Sequence, residues 1–326
     1  MAKSIRAYGR YTTFFRPLAV SPCLPPPKTH ILPCPHGAHH LLVSTATTHW
    51  TFGHAFNEYF EDAHKIGVLR QRPIFSLLRV GYEALFHLAE DDARHASQRM
   101  EELNKTIQAK GGITVGVHVR HGDRHPSDFQ YQDSYTPLEK YVQTAQDLIS
   151  RTSTKTNGTD TSRLDDAFET PSKLVLASDD PEVYASAELS HALRAQNQLL
   201  LASKTALDAA TGDPIGHISV DDNIGWEGGF FKDVFWSLGR SEPSARRRQE
   251  EEDHPEPTGL ALQLRELVGR AYLLDLAVLG QSDRVVCGVS AVGCRLLAVM
   301  VGWERGIVEG GWKNVDGQGE WKGIDW

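Results

Sequence analysis

The chain of 326 residues is short of cysteine, with four, and of methionine, with three. It also lacks a surplus of positive charge: 34 Lys and Arg stand against 42 Asp and Glu, a formal net charge of −8. That balance excludes a general binder of the nucleic-acid backbone, which needs a basic surface. It leaves room for a local basic pocket. No Gly-x-Gly-x-x-Gly follows the first strand-like run, which argues against an NAD site, and no P-loop or Gly-x-Ser-x-Gly elbow is present. There is no convincing secretory signal, because Arg16 and a proline-rich stretch interrupt any apolar core near the start. One stretch, Val285 to Trp303, has the length of a membrane span. Arg295 lies in its middle, at a cost of about 2.5–3.5 kcal/mol in a bilayer. Gly288 and Gly293 divide it further, so it reads as a buried strand, a turn and a core helix.

What is present is ordinary for a globular protein: 40% hydrophobic and 23% charged residues. Residues 1–35 form a proline-rich irregular start flanked by Cys23 and Cys34. From about Trp50 to Ala109 the pattern turns helical, with Phe52, Phe56 and Phe60 and then Leu78, Tyr82 and Phe86 recurring every fourth position. Asp91 to Gln108 reads as a charged amphipathic helix stopped by Gly111 and Gly112. At Ile113 the pattern changes. ITVGVHV, KLVLAS (173–178) and RVVC (284–287) are short runs with the look of buried strands. Helices follow each: one opened by Thr136-Pro137-Leu138-Glu139 as a capping box, one opened by Asp179-Asp180-Pro181-Glu182, and one ending near Trp303. Leu260 to Leu279 adds a strong helix before the third strand. This alternation over 113–303 predicts a doubly wound parallel sheet, with ligands beyond the carboxyl ends of its strands. A charged run at 241–257 reads as a solvated loop insert, and Trp303, Trp312, Trp321 and Trp326 as clamps on an irregular tail.

Four motifs carry candidate chemistry, three of them at those strand ends. His118-Val119-Arg120-His121-Gly122-Asp123-Arg124 follows the first strand. Its arginines present planar forks suited to phosphate, and Asp123 can hold one of them in place. Ser178-Asp179-Asp180-Pro181 follows the second strand. A helix cap explains one Asp well and the second less well. Asp275 sits among leucines, either on the polar edge of its helix or as a carboxylate that accepts N–H bonds from a base such as guanine. Cys287 and Cys294 flank Ser290, and their spacing allows a small disulfide loop or two buried thiols. Ser290 and its neighbouring N–H groups lie where a helix start could bind phosphate. His36, His39 and His40 come without a matching Cys or carboxylate framework, so no metal site is expected.

The order of these stretches, VGVHVRHGD, TPLEKYV, KLVLASDDP and LLDLAVLGQSDRVVCGVSAVGCR, resembles the α1,6-fucosyltransferase family, which includes the N-glycan core and nodulation-factor enzymes. The likeness runs over roughly residues 113–302. It implies a GT-B-like glycosyltransferase, inverting and metal-independent, with a Rossmann-like donor domain at 113–326 and a smaller, mainly helical acceptor-side region at 36–112. The implied donor is GDP-fucose, the implied acceptor a glycan or glycoprotein, and the implied place the Golgi lumen. By the resemblance Arg120 meets the donor's β-phosphate, His118 and Asp275 contact guanine, and Asp179 and Asp180 match an acidic pair. Arg124 and Asp128 fall near the reaction centre, with Asp128 the candidate general base. Cys287 and Cys294 match a family disulfide.

The chain departs from the family in three ways. Ser290-Ala291-Val292 stands where the family has Ser-Ser-Gln, with the loss of two polar donor contacts. The insert at 241–257 precedes the Asp275 helix. The N-terminal half is short and lacks the anchor of the animal enzymes. The departures leave a non-catalytic GDP-sugar or glycan binder as the alternative. Asn104-Lys105-Thr106 and Asn157-Gly158-Thr159 are glycosylation sequons in keeping with a luminal protein.

Overall fold

A computed structural model describes residues 14–16, 54–121, 135–156, 171–199, 259–317 and 319–323. Asp123, Arg124, Asp128, Cys23, Cys34, the three N-terminal histidines and the 241–257 insert lie outside the described residues. So do Phe52, Asn157 and Trp326. Among the described residues five strands form one parallel sheet: β1 (Thr114–Val119), β2 (Lys173–Ser178), β3 (Leu193–Arg194), β4 (Arg284–Cys287) and β5 (Trp312–Asn314). Their order is β3-β2-β1-β4-β5, so the winding reverses between β1 and β4. This is the doubly wound arrangement expected from the alternating pattern, and the reversal marks the ligand crevice of such sheets. The helices are α1 (His54–Phe60), α2 (Arg72–Leu85), α3 (Glu90–Gln108), α4 (Leu138–Thr156), α5 (Gly259–Leu279) and α6 (Val292–Val301).

Strand periodicity explains the two layers. Side chains alternate between faces, so Val115, Val117 and Val119 point one way and Thr114, Gly116 and His118 the other. The valines are fully buried against Tyr141, Ala145 and Leu148 of α4, with Leu174, Leu176 and Val286 from the flanking strands. On the opposite face α5 lies directly on β1: a side chain at Gly116 would meet Leu279 and Ser282. Leu274, Leu276 and Leu279 join Leu297, Phe75 and Met100 in the larger core cluster, so α2 and α3 pack onto the same layer as α5 and α6.

Polar bonds pin those helices. Arg270 of α5 grips Asp92 of α3 with two bonds of 2.7 and 3.0 Å, and this pairing holds Arg270's proton more firmly still. Arg79 of α2 donates to the carbonyls of Val299 and Met300, which the end of α6 leaves without helical partners. Gly302, at φ 96°, then lets the chain leave α6 in a conformation that side chains resist.

Two expectations change. The segment after β2 forms only a short 3-10 helix, Pro181–Ala185, in place of a longer helix. The tail contains β5 rather than irregular chain alone, and Trp312 and Trp321 are bonded into the core. The Trp312 indole donates to the Cys294 carbonyl, and that of Trp321 to the Arg295 carbonyl. Phe75 meets both Trp303 and Trp321. The 285–303 stretch is the expected strand, turn and helix. Among the described residues no helix is long and apolar enough to cross a membrane.

Candidate functional site at the carboxyl edge of the sheet

Three strand ends meet at the winding reversal. At the first, β1 delivers Arg120 and His121 beside the end of β2, because Val119 pairs with Ser178. The two adjacent carboxylates divide the work there. Asp179 accepts from Arg120 Nη1 and from the His121 backbone N–H, both at 2.8 Å, one on each oxygen. Asp180 lies 2.7 Å from His121 Nδ1. Tyr135, just ahead of α4, stacks on the His121 ring at 3.6 Å and 17°. So both carboxylates of the acidic pair reach across to β1, 58 and 59 residues away in sequence. The Ser178 hydroxyl, in turn, accepts from the Asp180 N–H. A buried Arg–Asp contact of this kind holds geometry more surely than it adds stability.

The second group lies on the α5 face. His118 is flanked in the sheet by Ala177 and Cys287, and its ring packs at 6.0 Å from that of Tyr272. It is 2% exposed, and among the described residues its Nδ1 has no hydrogen-bond partner. Burial, with the charge of Arg120 adding to it, holds the imidazole down at about 3, so it is neutral at neutral pH. Tyr272 and Asp275, three residues apart, share one face of α5. Asp275 is 8% exposed, and its Oδ1 is likewise unpartnered. Burial pushes its carboxyl well above the carboxylate range; a Gln196 hydrogen bond and the Arg194 charge pull the other way. Gln196 is itself clamped, donating to the Leu199 carbonyl and accepting from the Leu199 N–H. Arg194 lies over the Tyr184 ring at 3.7 Å. Asp275 is therefore an interior carboxylate and not one on the polar edge of its helix.

The third group is the loop after β4. Cys287 and Cys294 are joined by a disulfide, with Cα atoms 5.5 Å apart. The bond closes the loop next to Gly293, where the Tyr272 hydroxyl fills the place a Cβ would take. The Ser290 N–H, expected to face a ligand phosphate, donates to Asp316 Oδ2 at 2.7 Å. The neighbouring Val289 N–H donates to Asn314 Oδ1. Segment 314–316, leaving β5, therefore carries its own acceptors to this helix start. Asp316 and Asp179 both act on Tyr141, whose phenol burial and these charges push up, against a Thr136 hydrogen bond.

Comparison with known families and with curated proteins finds no match for this chain.

The strand ends bring together Arg120, His118, Asp179, Asp180, Asp275, Ser290 and the Cys287–Cys294 bridge. Asp123, Arg124 and Asp128 fall outside the described residues. The geometry adds His121, Tyr272, Gln196 and Asp316. His121 was within the first motif and Tyr272 one turn before Asp275, so spacing could have drawn attention to both. Gln196 and Asp316 carry no local signal. Among the described residues no group of three or more His, Cys, Asp or Glu is placed to hold a metal ion.

Proposed function

We propose that the chain is an inverting, metal-independent glycosyltransferase of GT-B type that moves fucose from GDP-fucose to a glycan hydroxyl. The observation that carries this reading is the pair of buried polar atoms that no described residue bonds, His118 Nδ1, a donor or acceptor by tautomer, and Asp275 Oδ1, beside Arg120 at the carboxyl edge of the sheet. Leaving such atoms buried and unbonded costs about 1–3 kcal/mol each. A base that offers adjacent N–H donors and an acceptor relieves that cost, and guanine offers both. Arg120 then meets the phosphates. As the bond to fucose breaks, negative charge gathers on the β-phosphate, and a fixed guanidinium stabilises that charge more than the ground state. Asp179 fixes the guanidinium, and must share it when the donor binds. The Cys287–Cys294 bridge fits an oxidising compartment such as the Golgi lumen.

A second reading has its own support. Ala291 and Val292 supply no polar side chain to the phosphates, and Asp316 already accepts from the Ser290 N–H. Both favour a binder of GDP-sugar or glycan without turnover. Arg120→Ala tests the first reading. Transfer or hydrolysis of GDP-fucose should fall by about 10²-fold or more. Turnover near normal in that variant contradicts the assignment, while GDP binding without turnover in the native chain selects the second reading.

A further inference from the structure

We propose that His121, rather than Asp128, is the general base of the transfer, with Asp180 as its positioning residue; this rests on the donor reading above. The geometry is that of a base and its orienter. Asp180 Oδ2 lies 2.7 Å from His121 Nδ1, and the Tyr135 ring stacks against the imidazole at 3.6 Å. With its Nδ1–H given to a carboxylate, an imidazole carries its lone pair on Nε2, the arrangement by which a carboxylate fixes the tautomer of a catalytic histidine. Among the described residues nothing bonds Nε2, and 11% of the His121 side chain remains accessible. The residue is also held from behind. Its backbone N–H donates to the same Asp179 carboxylate that grips Arg120, the residue before it.

That shared anchor gives the acidic pair a joint purpose. Asp179 sets the guanidinium that receives charge from the leaving group, and Asp180 sets the ring that receives the proton. Among the described residues, the charged and titratable groups around the imidazole are Asp179 and Asp180 from the end of β2, Arg120 after β1 and Tyr135 ahead of α4. In the step itself a lone pair of the acceptor hydroxyl attacks C1 of fucose. The hydroxyl proton passes to Nε2. The C1–O bond to the β-phosphate breaks with its electron pair on the phosphate oxygen, and GDP leaves. The imidazolium then returns its proton to solvent. Asp180 gives no proton; it orients the ring and stabilises the imidazolium.

The test uses the full chain with GDP-fucose and water as acceptor, so that no glycan need be known. GDP affinity by calorimetry is measured on every variant. His121→Gln should bind GDP within about threefold of the native chain, lose about 10²-fold in turnover, and lose the acid limb of the kcat profile. Asp180→Asn should also keep GDP binding, lose turnover and alter that limb; it carries the test if His121→Gln fails to fold by circular dichroism. Native-like turnover, or an unchanged acid limb, with GDP binding intact overturns the base and leaves the nucleotide reading standing. GDP binding without turnover in the native chain overturns the base and selects the binder. A native chain that does not bind GDP overturns both.

Discussion

The two faces of β1 solve opposite problems with one strand. Towards α4 stand Val115, Val117 and Val119, fully buried in an all-apolar layer with Leu174, Leu176 and Val286. Towards α5 stand Thr114, Gly116 and His118, and next to them the buried carboxylate of Asp275 and the amide of Gln196. A strand's period of two is enough to separate them. The difference shows where stability and chemistry reside. One face stabilises by burial, at roughly 25 cal/mol per Å² of apolar surface. The other keeps two interior polar atoms unbonded, which is costly in the empty protein and useful to a ligand with matching groups.

The comparison can be broken from either side. The largest effect belongs to Asp275→Asn. It should weaken GDP binding by about 10²-fold, because an amide cannot accept two N–H groups as a carboxylate does. The same change should leave stability at pH 7 unchanged or higher, since the folded state no longer holds a costly carboxylate. A variant both unstable and still able to bind would show that the residue is structural. Next is Leu176→Ala on the α4 face, expected to cost about 2–5 kcal/mol in urea unfolding. Its GDP affinity, measured on folded protein, should be native. A joint loss of affinity would mean that the faces are not separate.

Acid and base titrations sharpen the same contrast through their signs. His118 is held at about 3 in the fold against an ordinary 6.5. The unfolded chain therefore binds the extra proton, and stability falls as pH drops below about 6.5 and levels off near 3, by about 1.4 kcal/mol per unit between. Asp275 runs the other way. Its folded value is raised from 3.8, so its cost grows as pH climbs above that value towards the folded one. In unfolding midpoints across pH 4–8, His118→Leu should remove the acid loss and Asp275→Asn the loss on the alkaline side. No such term is expected from a valine on the opposite face. A His118→Leu curve that parallels the native one would contradict the burial of a neutral imidazole. The smallest effect should come from Asp316→Asn. Removing a carboxylate from the Ser290 N–H should tighten GDP binding by less than about tenfold, with no change for guanosine, which lacks phosphates. Equal gains for both ligands would place Asp316 outside the phosphate path.

Much of the frame was legible in the amino-acid order. β1, β2 and β4 are runs of four to six residues rich in valine and leucine, long enough to stand out. β3 has two residues and β5 three, too few for any periodicity to show, and pairing with β2 and β4 defines them. The candidate site was legible where chemistry is local: Arg120 at a strand end, Asp275 among leucines, Cys287 and Cys294 seven apart. It was illegible where partners are distant. The short-range reading of Asp179-Asp180 as a helix cap misses that His121, 58 residues earlier, is the partner both aspartates reach. Asp316 reaches Ser290 only because β5 pairs beside β4.

The central claim is that His118 and Asp275 form the seat of a guanine base next to Arg120. Calorimetric titration of the intact chain with GDP, and in parallel with ADP, tests it most directly. The account predicts that GDP binds, that ADP binds at least about 10²-fold more weakly because adenine cannot offer Asp275 the same pair of N–H donors, and that Asp275→Asn abolishes the preference. Equal affinity for the two nucleotides, or no GDP binding at all, would contradict it.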